Sequence, residues 1–239
     1  MYQPLRIFIG FDPVETVAYH ACVQSIIELA SKPVTICPIN IRNLRDIYHR
    51  DRDKKQSNEF TYARFLVPYL CGYQGQALFI DCDIMLRHDV YDLFVEADER
   101  YAVSVVKHDY EPKNQTKYLG NIQYTYPRKN WSSVMVFNCS HPSCRSLDPH
   151  RVSIADPGYL HRFEWMHDRE IGELKPVWNF LVGEYDRKDF EEKHGRIRLV
   201  HFTVGGPWFD EYSDVEFAQE WLDLADRSRE VKQLPASPK

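Results

Sequence analysis

Short apolar runs and amphipathic segments alternate along the first eighty residues of the chain. Residues 5–10 (LRIFIG) are apolar and rich in β-formers, and Asp12 follows as a helix cap, with Glu15 completing a capping box. Apolar residues then recur at helical spacing over residues 14–29, and residues 34–39 form the next apolar run. This alternation predicts a strand, a helix and a second strand, the order typical of an α/β protein.

The next segments continue the alternation. Residues 59–70 have a helical apolar pattern, and Pro68 is expected to kink or shorten its last turn. Residues 76–80 are almost wholly apolar, as expected for a central strand that is buried on both faces. Residues 101–106 and 133–138 predict two further strands.

The second half of the chain is less regular. The polar connection between the strands at 101–106 and 133–138 is long for a compact domain, which favours a loop on the substrate side. Residues 165–185 predict helical parts, and residues 197–202 predict a final buried strand. Residues 213–224 predict an acidic amphipathic helix before a frayed end. The whole order predicts a doubly wound α/β fold.

Composition and charge exclude several classes of function. The chain has 239 residues, with 30 Lys and Arg against 35 Asp and Glu, so its net charge is -5. Nucleic acid is therefore not its expected ligand, because phosphate-backbone binding needs a clustered basic surface. No apolar stretch approaches the roughly 20 residues of a membrane span, and no apolar signal region precedes the first strand. We expect a cytoplasmic protein whose six cysteines are reduced thiols.

Two acidic residues follow the most apolar run. Asp81 and Asp83 come directly after residues 76–80, and ligands of open α/β sheets bind beyond the carboxyl ends of the strands. Residues two apart in an extended chain project to the same side, so both carboxylates can address one cation. Two close carboxylates repel each other unless a cation or a proton compensates them, which motivates a metal. The alternative is a polar strand end with solvated carboxylates.

A second polar strand end lies near residue 200. His201 ends the predicted last strand, and Gly205 and Gly206 follow it before Trp208. Paired glycines let backbone amides approach an anion, and an imidazole can complete an oxygen-rich Mn²⁺ or Mg²⁺ site. The alternative for His201 is an ordinary core or loop histidine.

Five sequence blocks, taken in order, resemble the family 8 glycosyltransferases and their bacterial relatives. They extend from about Arg6 to Phe209 and read FIGFD, TYARFLVPYL, LFIDCDIM, SSVMVFN and HFTVGGPWF. The resemblance implies a GT-A fold, which is a Rossmann-like α/β fold with a mixed central sheet flanked by helices. It implies a single catalytic domain over residues 1–239, with a nucleotide-binding half at about 1–106, an acceptor half at about 107–212 and a C-terminal helix and tail at 213–239.

The resemblance also implies an activity. It is the transfer of a sugar, usually from a UDP-sugar, to an acceptor hydroxyl with retention at the anomeric carbon and with Mn²⁺ or Mg²⁺ bridging the diphosphate. The acceptor would be a glycan, a lipid-linked molecule or a small molecule. By position, Asp81, Asp83 and His201 match the family's metal ligands. The residues that match or neighbour the donor site are Phe11, Asp12, Arg64, Cys82, Gly205, Gly206 and Trp208.

Two of the matched positions carry a catalytic expectation. Arg64 would add charge-assisted hydrogen bonds near the donor, although an ordinary ion pair on a helix surface is the alternative. Asp168 would be the carboxylate beside the donor sugar, with Glu170 as its rival and a surface carboxylate as the alternative. The sequence also departs from the family, because Gly206 stands where a lysine would precede Pro207.

Two competing functions share some of these features. A nucleotide-sugar or glycan-binding module would keep the fold without turnover, which the missing lysine favours. A haloacid-dehalogenase-type phosphatase also has Asp-x-Asp after an apolar strand, and its first aspartate becomes phosphorylated. That pattern normally follows the first strand of its domain, whereas two predicted strands precede Asp81.

Overall fold

The computed structural model describes residues 3–53, 56–109, 111–113, 118–120 and 127–229. Nine strands are present in this part of the chain. They are β1 (Leu5–Gly10), β2 (Val34–Ile39), β3 (Gln76–Ile80), β4 (Ile84–Leu86), β5 (Val103–Val106), β6 (Val134–Asn138), β7 (Ile171–Leu174), β8 (Phe180–Leu181) and β9 (Leu199–His201). The helices are α1 (Thr16–Leu29), α2 (Val67–Leu70), α3 (Val90–Glu96), α4 (Pro149–Ile154), α5 (Pro157–His161), α6 (Arg187–His194) and α7 (Ala218–Arg227).

The strands form two sheets. The larger has six strands in the order β2-β1-β3-β6-β5-β7, and the smaller has three in the order β4-β9-β8. In the larger sheet β1 is parallel to β2 and β3, β6 is antiparallel to both of its neighbours, and β5 is parallel to β7. The prediction of a mixed central sheet flanked by helices is therefore confirmed.

Burial explains why β3 lies in the middle of the sheet. Ala77 to Ile80 are inaccessible to solvent, because β1 and β6 pair on its two edges and helices cover its faces. Helix α1 buries Ala18, Ala21, Cys22 and Ile26 and contacts β4 and α7. An apolar strand of this kind stays dry only when both faces are covered, which matches its sequence.

The start of the first helix differs from its prediction. Asp12 caps a short 3₁₀ helix at Pro13–Glu15, and α1 begins only at Thr16. Glu15 does not close a capping box. Its carboxylate is buried and accepts a hydrogen bond from the Tyr118 hydroxyl at 3.0 Å. Val14, assigned to the apolar face, is 56% exposed.

Other predicted helices are shorter than expected, and one is replaced by strands. Residues 59–70 are helical only from Ala63, and Pro68 lies in the first turn of α2, where its missing N–H costs nothing. Residues 165–185 hold β7, β8 and 3₁₀ turns instead of α-helix. There Gly172 leaves room for the Tyr101 ring beside the pairing with β5. Pairing with a neighbouring strand overrides the local pattern.

The remaining predictions concern the termini and the cysteines. The acidic helix begins at Ala218, five residues later than predicted. The last few residues, predicted to be frayed, and 11 of the 26 residues in the long loop at 107–132 lie outside the described residues. All six cysteines are free thiols, as predicted. No helix among the described residues combines the length and the apolar character needed to cross a bilayer.

Candidate metal and donor-binding site

Two strand ends bring three possible metal ligands together. Asp81 and Asp83 lie in the short turn between β3 and β4, and β4 pairs with β9 so that Ile84 lies opposite His201. The ligand atoms of Asp81, Asp83 and His201 all lie within 4.8 Å of one another. His201 Nε2 is 3.4 Å from Asp83 Oδ1. The structure therefore brings His201 to a pair of aspartates that lie about 120 positions earlier in the sequence.

A buried amide orients His201. His201 Nδ1 is 3.0 Å from Asn179 Oδ1, and Asn179 is 1% exposed. Asn179 Nδ2 donates to Ser133 Oγ at 2.9 Å, and Ser133 Oγ donates to the Asn130 carbonyl at 2.7 Å. With Nδ1 protonated toward the amide oxygen, Nε2 keeps its lone pair for a metal. The sequence shows no motif at Asn179, so its role is apparent only in three dimensions.

Arg64 lies inside the site rather than on a helix surface. Its Nη1 forms an ion pair with Asp81 Oδ1 at 2.7 Å and donates to the Ser132 carbonyl at 2.9 Å. The guanidinium lies 5.2 Å from the Phe60 ring centre and 5.1 Å from that of Phe79. A buried cation held in this way keeps its position without help from solvent. The alternative of an ordinary surface pair is wrong.

The electrostatics of the cluster suit a divalent cation. Burial raises the pKa of Asp81 to about 6, Arg64 opposes this shift, and the neighbouring Asp83 carboxylate adds to it. A divalent cation would remove both the burial cost and the repulsion. Two carboxylates and one imidazole form a mixed oxygen and nitrogen donor set, which suits Mn²⁺ better than the all-oxygen sites of Mg²⁺. The residues present therefore fit the metal.

A third carboxylate lies behind the cluster. Glu15 is 2% exposed, and burial followed by the charge of Asp83 raises its pKa well above the usual range. Tyr118 donates to Glu15 Oε2, and the Cys82 sulfur lies 3.9 Å from the same oxygen. A protonated Glu15 adds no negative charge to the site. The Cys82 side chain is buried in this packing, and Cys82 is not among the residues that line the cavity.

The cluster opens into a cavity of about 370 Å³. Most of its lining residues have polar side chains, and they come from the segment before α2, the turn after β3, the segments on both sides of residue 130, and α5. The lining side chains outside the metal cluster include Asp53, Asn58, Thr61, Tyr62, Arg64, Tyr118, Lys129, Asn130, Ser132, Ser133, His161, Arg162 and Thr203. Such a concave wall of hydroxyl and amide groups suits a ligand with many hydroxyl groups.

The residues near the start of the chain support this wall indirectly. The two carboxylate oxygens of Asp12 accept from the backbone amides of Val14 and Glu59, each at 2.9 Å. Asp12 thus anchors the segment that carries Asn58 to the end of β1. Phe11 packs edge-on against Tyr19, with ring centres 5.4 Å apart. Neither residue is among those lining the cavity.

The glycine pair after His201 accommodates aromatic rings. A Cβ on Gly206 would lie 2.0 Å from the Trp208 ring, and one on Gly205 would lie 2.6 Å from the Tyr212 ring. Trp208 packs against Trp221 with ring centres 5.1 Å apart. Gly205, Gly206 and Trp208 are not among the described residues that line the cavity, whereas Thr203, which precedes them, is.

Asp168 lies on the surface of the protein. Its side chain is 80% exposed and forms an ion pair at 2.7 Å with Arg128, whose neighbours Lys129 and Asn130 line the cavity. Its rival Glu170 accepts from Ser143 Oγ at 2.8 Å. The structure therefore connects Asp168 to the cavity wall through Arg128 and does not place its carboxylate in that wall.

Loss of the Asn179 amide should weaken metal binding. We expect Asn179→Ala to lower the Mn²⁺ affinity about 10- to 100-fold, because His201 loses the acceptor that fixes its tautomer and its ring orientation. Titration calorimetry with Mn²⁺ measures the effect. Asn138→Ala, at the opposite end of β6, is the matched control and should bind Mn²⁺ as the wild type does. Equal affinity in both variants would contradict the assignment.

Comparison with known proteins gives the family. No protein-family model matches this chain. Over 223 residues the chain is 45% identical to Protein CDI of Arabidopsis thaliana, and the match spans 92% of this chain and 86% of the plant protein. The chain belongs to the family of Protein CDI. Because this relative is a plant protein, the resemblance to bacterial members of glycosyltransferase family 8 stays a prediction.

Solved structures show the fold. The glycosyltransferase GlyE of Streptococcus pneumoniae matches with a TM-score of 0.60 and 13% identity, over 94% of this chain and 60% of its own. The galactosyltransferase LgtC, solved with donor and acceptor sugar analogues, matches with a TM-score of 0.59 and 11% identity over 97% and 98%. The bifunctional WbbM matches with 0.59 and 14% over 94% of this chain, which spans half of WbbM. The predicted GT-A fold is confirmed.

Proposed function

We propose that the protein is a metal-dependent glycosyltransferase that moves a sugar from a nucleotide sugar to an acceptor hydroxyl. The observation that carries the proposal is the cluster of Asp81, Asp83 and His201, which opens into a polar cavity on a GT-A fold. A UDP-sugar as donor, Mn²⁺ as the metal, with Mg²⁺ as its alternative, and retention at the anomeric carbon belong to the proposal, as does a cytoplasmic location. The acceptor is a glycan, a lipid-linked molecule or a small molecule.

The residues in and around the metal cluster have different roles. Asp81, Asp83 and His201 bind the metal, which when bound neutralises charge on the departing diphosphate. Arg64 favours the ionised form of Asp81 and so opposes the effect of burial. Asn179 holds the His201 ring in the orientation that binding needs. The concave wall partly shields these charges from solvent, which strengthens their interactions.

The wall supplies hydrogen bonds of the kind that sugars need. Asn58, Thr61, Ser132 and Thr203 line the cavity, and their side chains can both donate and accept. Most of these groups also bond to their neighbours, so their positions are set before a ligand binds. The role beside the donor sugar that the resemblance assigns to Asp168 stays a prediction, and its exposed ion pair with Arg128 does not support it.

A panel of nucleotides tests the proposal. UDP, GDP, CDP and dTDP are each added with Mn²⁺, Mg²⁺ or EDTA while the melting temperature is measured. At 100 times its Kd a ligand stabilises by about 2.7 kcal/mol, which raises the melting temperature by about 5 to 10 °C for a chain of this size. We expect selective stabilisation by UDP with Mn²⁺ and none with EDTA. No shift with any nucleotide at millimolar concentration would contradict the proposal.

Different observations distinguish the proposed function from each of its two alternatives. A non-catalytic binding module would give the same thermal shifts but no metal-dependent release of free nucleotide from a donor sugar. The phosphatase alternative conflicts with the fold, because Asp81 follows the third strand in chain order and the solved relatives are GT-A proteins. WbbM, LgtC and GlyE, whose fold this chain shares, are glycosyltransferases, which favours turnover over binding alone.

A further inference from the structure

A buried lysine lies in the wall of the cavity, away from every sequence motif. Lys129 is 7% exposed and lines the same cavity as Asp81, Asp83 and His201. Burying an ammonium group is costly, and lysines are rarely buried to this extent unless an anionic or polar group receives them. The position therefore needs a reason beyond the solvation of a surface loop.

The segment around Lys129 is anchored on both sides. Arg128 pairs with Asp168 at 2.7 Å and lies over the Trp131 ring at 5.5 Å. Asn130 Nδ2 donates to Thr203 Oγ1 at 3.3 Å, and the Asn130 carbonyl accepts from Ser133 at 2.7 Å. Because Thr203 follows His201 by two residues, these bonds hold Lys129 beside the strand end that carries the histidine. A cation fixed before binding loses little entropy when it meets a ligand.

The net formal charge of the cavity becomes positive when the metal binds. The described lining residues carry three carboxylates, Asp53, Asp81 and Asp83, and three cations, Arg64, Lys129 and Arg162, so their formal charges cancel. A bound divalent cation leaves a net formal charge of about +2, with His201 neutral. Among the three cations, Arg162 is half exposed, whereas Arg64 and Lys129 are buried in the cavity wall. Lys129 therefore places a buried positive charge in the cavity that holds the metal cluster.

We propose that Lys129 is a second buried cation of the donor site, beside Arg64, and contacts the diphosphate of the nucleotide. The assignment rests on the proposed function, and it adds a charge-assisted hydrogen bond that grows stronger as the diphosphate gains negative charge on leaving the sugar. Lys129 is then a substrate-contacting residue. Its partners Arg128 and Asn130 are positioning residues.

The test measures binding of nucleoside diphosphates by calorimetry with Mn²⁺ present. The probes are UDP, GDP, CDP and dTDP, each compared with its nucleoside. We expect Lys129→Met to lower the affinity for the nucleoside diphosphate that the wild type binds. The expected loss is about 10- to 100-fold, whereas the affinity for the nucleoside should fall less than about threefold. Lys129→Arg, which keeps the charge, should stay within about tenfold of the wild type. Lys113→Met, at an exposed lysine of the same loop, is the matched control.

The outcomes separate the two proposals. If the wild type binds none of the four nucleotides with metal, the proposed function fails and this inference fails with it. If the wild type binds and Lys129→Met binds equally well, only the inference is overturned. Loss of nucleoside and nucleotide affinity to the same extent would also overturn it, because that pattern indicates a purely structural lysine.

A measurement on the wild type avoids dependence on the folding of a variant. Reductive methylation modifies accessible lysine amines, and mass spectrometry of peptides reports each site. We expect the bound nucleoside diphosphate with Mn²⁺ to slow methylation of Lys129 at least about fivefold and to leave Lys113 unchanged, because a contacted ammonium is shielded from the reagent. Equal methylation of Lys129 with and without the nucleotide would overturn the assignment.

Discussion

Asp83→Asn and Asp81→Asn should both lose metal-dependent release of nucleotide, by at least about 10³-fold. Each variant removes one carboxylate of the cluster in which the ligand atoms lie within 4.8 Å of one another. The lost stabilisation of the leaving diphosphate is several kcal/mol, and about 4 kcal/mol corresponds to 10³ in rate. Free nucleotide released from a donor sugar in the presence of Mn²⁺ measures the effect.

The two variants should differ in stability. The ion pair of Asp81 and Arg64 is buried, with 11% and 5% of the side chains exposed, so Asp81→Asn leaves the Arg64 charge uncompensated. Removing one partner of such a pair costs about 3 to 5 kcal/mol. Asp83→Asn leaves that pair intact and removes a like charge from beside Asp81, so its stability should change by less than about 1 kcal/mol.

Urea denaturation in EDTA measures this difference. The control is Asp98→Asn, which changes an exposed carboxylate in a surface ion pair with Arg100 and should leave release and stability as in the wild type. Asp83→Asn is therefore the informative variant, because its loss of turnover cannot be attributed to unfolding. If Asp83→Asn releases nucleotide as fast as the wild type, the metal cluster has no part in the reaction.

Acid should destabilise the protein through a half-buried histidine, and His161→Gln should remove that part of the pH dependence. His161 is half-buried in the cavity wall, and its Nδ1 lies 2.9 Å from Ser132 Oγ. Burial, followed by the charges of Arg64 and Arg50, lowers the pKa of His161 to about 3. In the unfolded chain the pKa is about 6.5.

The sign follows from proton binding. Between pH 6.5 and 3 the unfolded chain binds a proton at His161 that the folded protein does not bind, so stability falls as the pH falls. Stability from neutral His161 is complete above pH 6.5. From pH 6 to pH 4 the loss is about 2 to 3 kcal/mol. Denaturation at several pH values should give His161→Gln a stability curve that is flatter by this amount.

An exposed histidine provides the control for the His161 prediction. His150→Gln replaces an exposed histidine and should keep the slope of the wild type. The absolute stability of His161→Gln at pH 8 is lower because its packing against Phe65 and Tyr62 is lost, so the comparison rests on slopes. If the curves of His161→Gln and the wild type are parallel from pH 6 to pH 4, His161 is not the group responsible.

Local pattern in the sequence determines the strands that build the sheet and the candidate metal ligands. The runs at residues 5–10, 34–39 and 76–80 are strands at those bounds. The central one, β3, is buried along almost its whole length, as its apolar sequence predicts. The pair Asp81 and Asp83 was identifiable because a strand end carries them directly. His201 was identifiable from its block after the last strand, and the structure brings it to the pair.

Tertiary contacts decide the rest. Within residues 165–185, β7 pairs with β5 and β8 pairs with β9, and no local pattern encodes these partners. Glu15 turns from a capping position to Tyr118, and Gly205 and Gly206 serve aromatic packing, because the groups that meet them come from distant segments. Asn179 and Lys129 reach the site only when their segments pack beside His201. Short-range periodicity fixes an element, whereas contacts between residues far apart in the chain fix what that element does.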